Sequence, residues 1–373
     1  MIDQAAPVTA EEVRLRESHA HLVRWRRWGT YLSERQWGTV REDYSPDGDA
    51  WAYTTHDEAP ARAYRWGEDG LLGLSDDRQH LCFALAMWNG HDSMLKERLF
   101  GLSNPQGNHG EDVKEYYYFL DNTPTHSYAK ALYKYPQTAF PYEQLVKVNG
   151  SRSRSEPEYE LIDTGIFDGD RYFDVTVEYA KAGPEDICVE IAITNRGPSL
   201  AQLHLLPTLW FRNTWTWADK PERPSIVAAG DEPSCSVLEA HHHRIGDRRL
   251  YAQTPKTLLF TENETNVQRV FGQPNPQPYV KDAFHQYVVH GNASAVNPAR
   301  EGTKAAALYV LDIAAGDTAR VRVRLAQSDA LSDPLGEPFS AVLAKRKAEA
   351  DEYYARISPY PLSDEGRLVQ RQA

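Results

Sequence analysis

The sequence predicts a mainly β protein: a large antiparallel β-sandwich of the supersandwich kind, with an N-terminal helix and a C-terminal helix outside it. Three observations predict this. From Trp37 onward, short runs rich in β-branched and aromatic residues recur between clusters of Gly, Asp and Pro, which is turn chemistry between strands. Two of these runs alternate strictly: Phe173, Val175, Val177 and Tyr179 fall on one face, as do Ile187, Val189, Ile191 and Ile193. Hydrophobic residues make up 41% of 373, with nine Trp and 21 Tyr, enough for both inner faces of a large sandwich core.

Element by element, residues 9–27 read as a helix, with Thr9 and Glu12 spaced as a capping box and a stop before Gly29. Residues 37–88 read as short strands. "HLCFALAMWNG" ends in an Asn-Gly hairpin signal, and "LKERLFGL" opens a second pairing. "YAKALYKYPQTAFPYEQLVKVN" reads as partly helical, broken at Pro136 and Pro141. "YFDVTVEYA" and "DICVEIAITNRG" form an antiparallel hairpin across a Gly-Pro connector. "AQLHLLPTLWF" and "KTLLFTE" continue the strands, and "AAALYVLDIAAGDTARVRVRLAQ" reads as a further hairpin around "AAGD". Residues 218–248 read as a long excursion with one strand inside. Residues 338–357 read as a helix, polar on most sides and so a linker or a helix awaiting a partner. No internal repeat is present. The domain reading is an N-terminal helical segment over 1–28, a β-sandwich over 29–330 and a helical linker over 331–373.

Composition excludes several classes. The net charge of −12, from 41 basic and 53 acidic residues, argues against nucleic acid, whose binding rests on clustered cations. The short "RWRRW" at Arg24–Trp28 is interleaved with Trp and reads as an interface or helix face. Three dispersed cysteines, Cys82, Cys188 and Cys235, offer neither a disulfide framework nor zinc-ligand spacing, and read as buried small hydrophobes in a reducing compartment. The N-terminus has no apolar signal core, and no apolar run reaches the ~18 residues of a membrane span. These features predict a cytoplasmic protein with no membrane partner. Neither GxSxG nor a P-loop motif occurs. "PDGD" at 46–49 lacks the remaining ligands of a calcium loop. No cofactor and no metal are expected.

Chemistry concentrates in three stretches. "LFGLSNPQGNHGEDVKEYYYFLDNTPTHSY" (99–128) places His109, Glu111 and Asp112 on a Gly-rich loop at the end of an extended segment carrying Lys114 and Tyr116, with His126 beyond it. Such a grouping serves a sugar or acid/base site, and equally a hydrogen-bonded corner. "ERQWGTVREDYSPDGDAW" (34–51) sets Arg41 and Asp43 beside Trp37, the mixture of charge and indole that a sugar pocket uses, or a surface ion-pair network. "WFRNTWTW" (210–217) carries Trp210, Arg212 and Trp215 at a strand end, as an aromatic platform or as a cap on an interface. "HHH" at 241–243 reads as solvent-exposed.

Beyond composition, "WRRWGTYLSERQWGTVREDYSPDGDAW", "YRWGEDGLLGLSDDRQHLCFALAMWNG", "LKERLFGLSNPQGNHGEDVKEYYYFLDNTPTHSYAKALYKYPQTAFPY", "DTGIFDGDRYFDVTVEYAKAGPEDI" and "LHLLPTLWFRNTWTW" occur in this order. Over residues 20–330 they resemble the N-terminal portion of bacterial glucosidase-like proteins of glycoside hydrolase family 63, relatives of mannosyl-oligosaccharide glucosidase. The resemblance implies a β-sandwich followed by an (α/α)6 barrel, and hydrolysis of α-glucosidic bonds in oligosaccharides with inversion. It places the general acid and base in the barrel, so neither has a matching position in this chain. No run of alternating long helices follows the sandwich before Ala373. The resemblance therefore implies a first domain that is inactive without its barrel. His109, Glu111, Asp112, Lys114, Tyr116, His126, Trp37, Arg41, Asp43, Trp210, Arg212 and Trp215 are then pocket-rim or domain-interface candidates. Two alternatives remain open: a self-sufficient mutarotase-like epimerase using His109 with Glu111, or His126, and a non-catalytic carbohydrate-binding module presenting Trp210, Trp215 and Trp217.

Overall fold

A computed structural model describes residues 8–373 except 35, 37–53, 65–66, 104–105, 218–221, 233, 328–330 and 359. The candidates Trp37, Arg41 and Asp43 lie outside the described residues.

Among the described residues the strands, in chain order, are β1 (Trp28–Gly29), β2 (Leu71–Asp76), β3 (Leu81–Trp88), β4 (Gly101–Leu102), β5 (Asp112–Val113), β6 (Tyr117–Asn122), β7 (Tyr128–Pro136), β8 (Tyr172–Gly183), β9 (Asp186–Asn195), β10 (Ala201–Phe211), β11 (Ser225–Glu232), β12 (Cys235–His241), β13 (Arg248–Gln253), β14 (Thr257–Thr261), β15 (Glu301–Gly302), β16 (Lys304–Ile313) and β17 (Thr318–Gln327). The helices are α1 (Ala10–His19), α2 (Tyr142–Ser151), α3 (Val267–Phe271), α4 (Ala283–Val288), α5 (Glu337–Ile357) and α6 (Asp364–Gln372). A six-stranded sheet has the order β1-β2-β3-β10-β16-β14, and a nine-stranded sheet β15-β11-β12-β13-β17-β9-β8-β7-β6. All pairings are antiparallel.

The two sheets form the expected sandwich. Phe83, Leu85, Leu205, Leu209 and Ala305 from one meet Val175, Val177, Ile191, Val323 and Leu250 from the other in one continuous core. Strict alternation makes this work, because every second side chain of each strand points at the opposing sheet. The β8–β9 hairpin forms in the expected register, with Val175 opposite Ile193 and Val177 opposite Ile191.

Four expectations are corrected. The N-terminal helix keeps its Thr9/Glu12 capping box but stops at His19, not near Arg27. Residues 128–136 form a strand; only 142–151 are helical. The excursion at 218–248 holds the paired strands β11 and β12, not one strand. The "AAGD" segment does not close a hairpin: β16 lies in the six-stranded sheet and β17 in the nine-stranded one, so the turn passes the chain across the core.

The outer faces are covered. Helix α5, expected as a linker or an unpartnered helix, lies on the nine-stranded sheet, burying Phe339 and Ala350 beside Cys188, Tyr251 and Ala180. Arg346 donates to the carbonyl of Lys181 (2.6 Å) from the same face. Helix α6 packs on β6, the edge strand, where Arg371 pairs with Asp121; covering an edge removes a template for strand addition. The outer face of the six-stranded sheet divides. One part is apolar, where Phe284 and Val288 of α4 meet Leu206 and Leu308; the other is charged. All three cysteines are buried thiols.

Candidate functional site

The charged part begins with sheet geometry. On β3, β10 and β16 the side chains opposite to the core positions are Ala84, Ala86, Thr208, Trp210 and Lys304. Small residues on β3 leave a hollow, and Trp210 forms one wall. Into it project Glu68 and Asp69, Glu97 and Arg98, Asn263 and Lys281. Arg98 Nε donates to Asp69 (2.8 Å) and Lys304 Nζ to Glu97 (3.0 Å). Lys281 pairs with Glu68 at 3.4 Å and donates to the Arg62 carbonyl (3.0 Å). The Asn263 amide donates to Glu68 (2.9 Å).

Burial sets the electrostatics here. It pushes Glu68 up, only partly offset by Lys281 and Asn263, and it lowers Lys281, only partly offset by Glu68. Glu97 goes the other way: burial opposes ionisation, yet Lys304 and Arg98 together hold its carboxyl below the usual range. The space left is about 20 Å³, enough for one water molecule and far too little for a sugar ring. Arg98 Nη1 and Asn263 Oδ1, whose side chains line it, have no hydrogen-bond partner among the described residues, which suits a water that accepts from one and donates to the other.

The 99–128 stretch enters two further buried ion-pair clusters. Lys96 bonds the buried Glu115 (2.8 Å) and lies over the Phe140 ring (4.2 Å). Glu115 also accepts from the Tyr133 hydroxyl (2.7 Å) and the Phe100 amide. Lys114 is buried among Asp112 (2.5 Å), Glu158 (2.6 Å) and Glu160 (3.2 Å). Burial alone would lower its pKa; the contacts to Asp112 and Glu158 outweigh that and raise it. The three carboxylates are close enough to ligate a cation, and the Lys114 ammonium already supplies one. His109 is exposed, its Nε2 meeting the Glu156 carbonyl (2.9 Å), and Glu111 is exposed on the same loop. Tyr116 packs on Phe167.

His126 is half-buried in a left-handed backbone conformation (φ 54°), with Nδ1 against Asn122 Oδ1 (3.1 Å) and its ring edge-on to Tyr31. A Cβ on Gly29 would fall 2.5 Å from its ring, so the glycine lets it lie there. Burial, with Lys181 and Arg26 adding to it, lowers its pKa to about 4. The unfolded imidazole titrates near 6.5, so the folded state binds fewer protons between those values. This contribution is complete above about pH 6.5 and is lost as pH falls toward 4. The urea midpoint is expected to fall over that interval, and less steeply in His126→Asn, since Asn tolerates the same backbone conformation. An identical pH profile in the variant would refute this.

Trp210 and Trp215 are both buried, each 6% exposed; only Trp217, at 42%, faces solvent. The row of exposed indoles needed for a sugar platform is therefore not formed by these three. Trp215 donates its indole N–H to Glu264 (2.7 Å), and Arg212 donates to the Gln79 (3.1 Å) and Arg78 (3.2 Å) carbonyls. Nor do His109, Glu111 and His126 converge on a groove: the first two are on an exposed loop and the third is held by Asn122 and Tyr31. Of the candidates, the structure brings Asp112 and Lys114 into one cluster, and Arg212 and Trp215 into one cleft. Sequence reasoning missed Glu68, Asp69, Glu97, Arg98, Lys281 and Lys304. The charges of "GED" and "KER", each set beside a β run, were the available signal. The "HHH" reading is corrected for His242, which is buried and stacked on Phe211.

No known protein-family model matches the sequence. An uncharacterized protein of Saccharomyces cerevisiae, YMR196W, is 43% identical over 414 aligned positions spanning all of this chain, and the chain spans only 38% of that relative's length. Solved structures with some likeness include a human-microbiome protein assigned as a kojibiose phosphorylase (TM-score 0.30, 9% identity, 84% of this chain and 32% of that one). Another is an Escherichia coli K12 protein assigned as an aldose 1-epimerase (TM-score 0.25, 7% identity, 56% and 67%). A third is a galactose mutarotase related enzyme from Lactobacillus acidophilus (TM-score 0.27, 7% identity, 70% and 91%). These three superpose too loosely to assign a function. No described helix is long and apolar enough to cross a membrane.

Proposed function

We propose that this chain is the β-sandwich portion of an inverting, α-glucosidase-type glycoside hydrolase acting on oligosaccharides, and that the acid and base lie on an (α/α)6 domain outside it. One observation carries the reading. The carboxylates gathered on the outer face of the six-stranded sheet are tied to cations around a space that holds one water. An inverting site instead needs two carboxyl groups roughly 6.5–9.5 Å apart across an open cleft that admits a sugar and a water. The ordered likeness of residues 20–330 to the glucosidase N-terminal portion supports the same reading. The greater length of the yeast relative leaves room in that protein for a further domain. In this reading the 99–128 loop and the Trp210 wall form the rim that the helical domain meets.

The test compares the 373-residue chain with any longer polypeptide translated from the same reading frame, or co-expressed from the adjoining one. The chain alone is expected to release no glucose from α-glucosidic oligosaccharides. The two-domain protein is expected to release it first as the β anomer, read by proton NMR before mutarotation. Enzyme-like turnover by the chain alone, α-anomer product, or the lack of any helical-barrel frame in the locus would each overturn the reading.

A further inference from the structure

A second cleft lies away from the charged layer, at the end of the sandwich where the β2–β3 turn, the segment after β10 and the turn after β12 meet. Its volume is about 420 Å³, within the range of small-ligand sites. Its wall is lined by five nitrogen-bearing side chains, His80, Arg212, His242, His243 and Arg244. Among the described residues the one carboxylate lining it, Glu222, is mostly exposed and already bonded to His243 Nδ1 (2.9 Å).

Each donor is held from behind. His80 Nδ1 is bonded to the buried Asp76 (2.9 Å), whose other oxygen accepts the Leu81 amide (2.9 Å). Burial opposes ionisation of Asp76, but the hydrogen bonds from His80 and Leu81 outweigh it and keep the carboxylate charged. A carboxylate–imidazole pair of this kind fixes the ring and leaves Nε2 for a ligand. His242 Nδ1 accepts the Arg244 amide (3.0 Å), so the neutral ring carries its proton on Nε2 as a donor. Arg212 is fixed in plane by the Gln79 and Arg78 carbonyls. Arg244 uses Nε on His243 (3.1 Å), and its two terminal nitrogens make no hydrogen bond to the described residues. The Trp215 indole forms a flat apolar wall, oriented by Glu264.

From this arrangement we infer that the cleft is a binding site for a small molecule bearing an oxyanion, with a phosphate or carboxylate group received by Arg244 and His80 and the body of the molecule against Trp215. Guanidinium groups match the paired oxygens of either anion. The inference does not depend on the glycosidase reading.

Isothermal titration of the intact chain with inorganic phosphate, glucose 6-phosphate and glucuronate, with maltose as the neutral control, tests it. At least one anion is expected to bind saturably, and the tighter of glucose 6-phosphate and glucuronate identifies which oxyanion the site prefers. Arg244→Met, at an exposed position, and His80→Gln are each expected to weaken that binding by about tenfold or more. Arg244→Met should leave the melting temperature unchanged, so its effect separates binding from folding. The proposal is overturned if no anion binds saturably, if both variants bind as tightly as the parent, or if maltose binds and the anions do not displace it. The last outcome would leave the glycosidase reading standing.

Discussion

Glu11→Ala is expected to destabilise the protein by about 3–5 kcal/mol, the range for stripping one partner from a buried charged network. The Glu11 side chain is fully buried although it belongs to a helix of low apolar character at the start of the chain. One oxygen accepts from the Thr125 amide (2.8 Å) and hydroxyl (2.7 Å); the other accepts from Ser127 Oγ (2.7 Å) and Arg14 Nε (2.8 Å). Arg14 reaches on to Glu349 of α5 (2.8 Å), so a single carboxylate ties α1, the β6–β7 turn and α5 together. Beside it lies Lys181, whose ammonium donates to the carbonyls of Trp25 (2.6 Å), Thr125 (3.1 Å) and Trp28. Burial lowers the Lys181 pKa to about 7, with Glu11 and then Glu185 pulling the other way. Removing Glu11 orphans the Thr125 hydroxyl and amide and part of the Arg14 guanidinium, leaves Ser127 with the Thr123 hydroxyl, and deprives Lys181 of its main counter-charge. Glu11→Gln keeps the shape and should cost less. Urea unfolding measures both, and limited proteolysis within residues 10–19 should accelerate in the Ala variant. A loss under about 1 kcal/mol would mean that α1 is not part of the cooperative unit.

How much of this was legible in the sequence depended on the range of the signal. The β8–β9 hairpin was, because alternation and a Gly-Pro connector are local and agree. The fate of β16 and β17 was not. Both strands bury one face in the same core, so their alternation is the same whether the turn between them closes a hairpin or crosses from one sheet to the other. Residues 128–136 read as helical because Ala, Lys and Leu are good helix formers. The strand wins because Tyr133 and Tyr135 on one face complete the core, a tertiary gain larger than the propensity it overrides. The same limit governs the site. Lys114 stood out as a charge on an extended segment, but its partners Glu158 and Glu160 lie on a loop more than forty residues away. The buried layer draws on Glu68, Arg98, Asn263 and Lys304, and no local pattern joins positions that far apart.

Arg98→Met is the second substitution with a large expected effect, again about 3–5 kcal/mol of lost stability. The side chain is 5% exposed and its guanidinium holds Asp69 (2.8 Å), with Glu97 at 3.6 Å. Methionine occupies much the same volume, so cavity formation contributes little and the loss reports the charge left behind. Among the described residues Asp69 keeps only the distant Tyr64 hydroxyl (3.5 Å), while Glu97 retains Lys304. The penalty should therefore reside in Asp69. That makes a double-mutant cycle decisive: Asp69→Asn with Arg98→Met is expected to be less destabilised than the sum of the two single variants, because no bare carboxylate remains. Strict additivity would show that the pair is not coupled and that the layer is held instead by Lys281 and Lys304. A coupling of 1 kcal/mol or more would show the opposite. The ion pairs would then act as the clamp that orders the loop before β2 and the segment before β4 on the outer face of the six-stranded sheet. Such a clamp fixes the shape of this face of the sheet without requiring any of these carboxylates to exchange a proton.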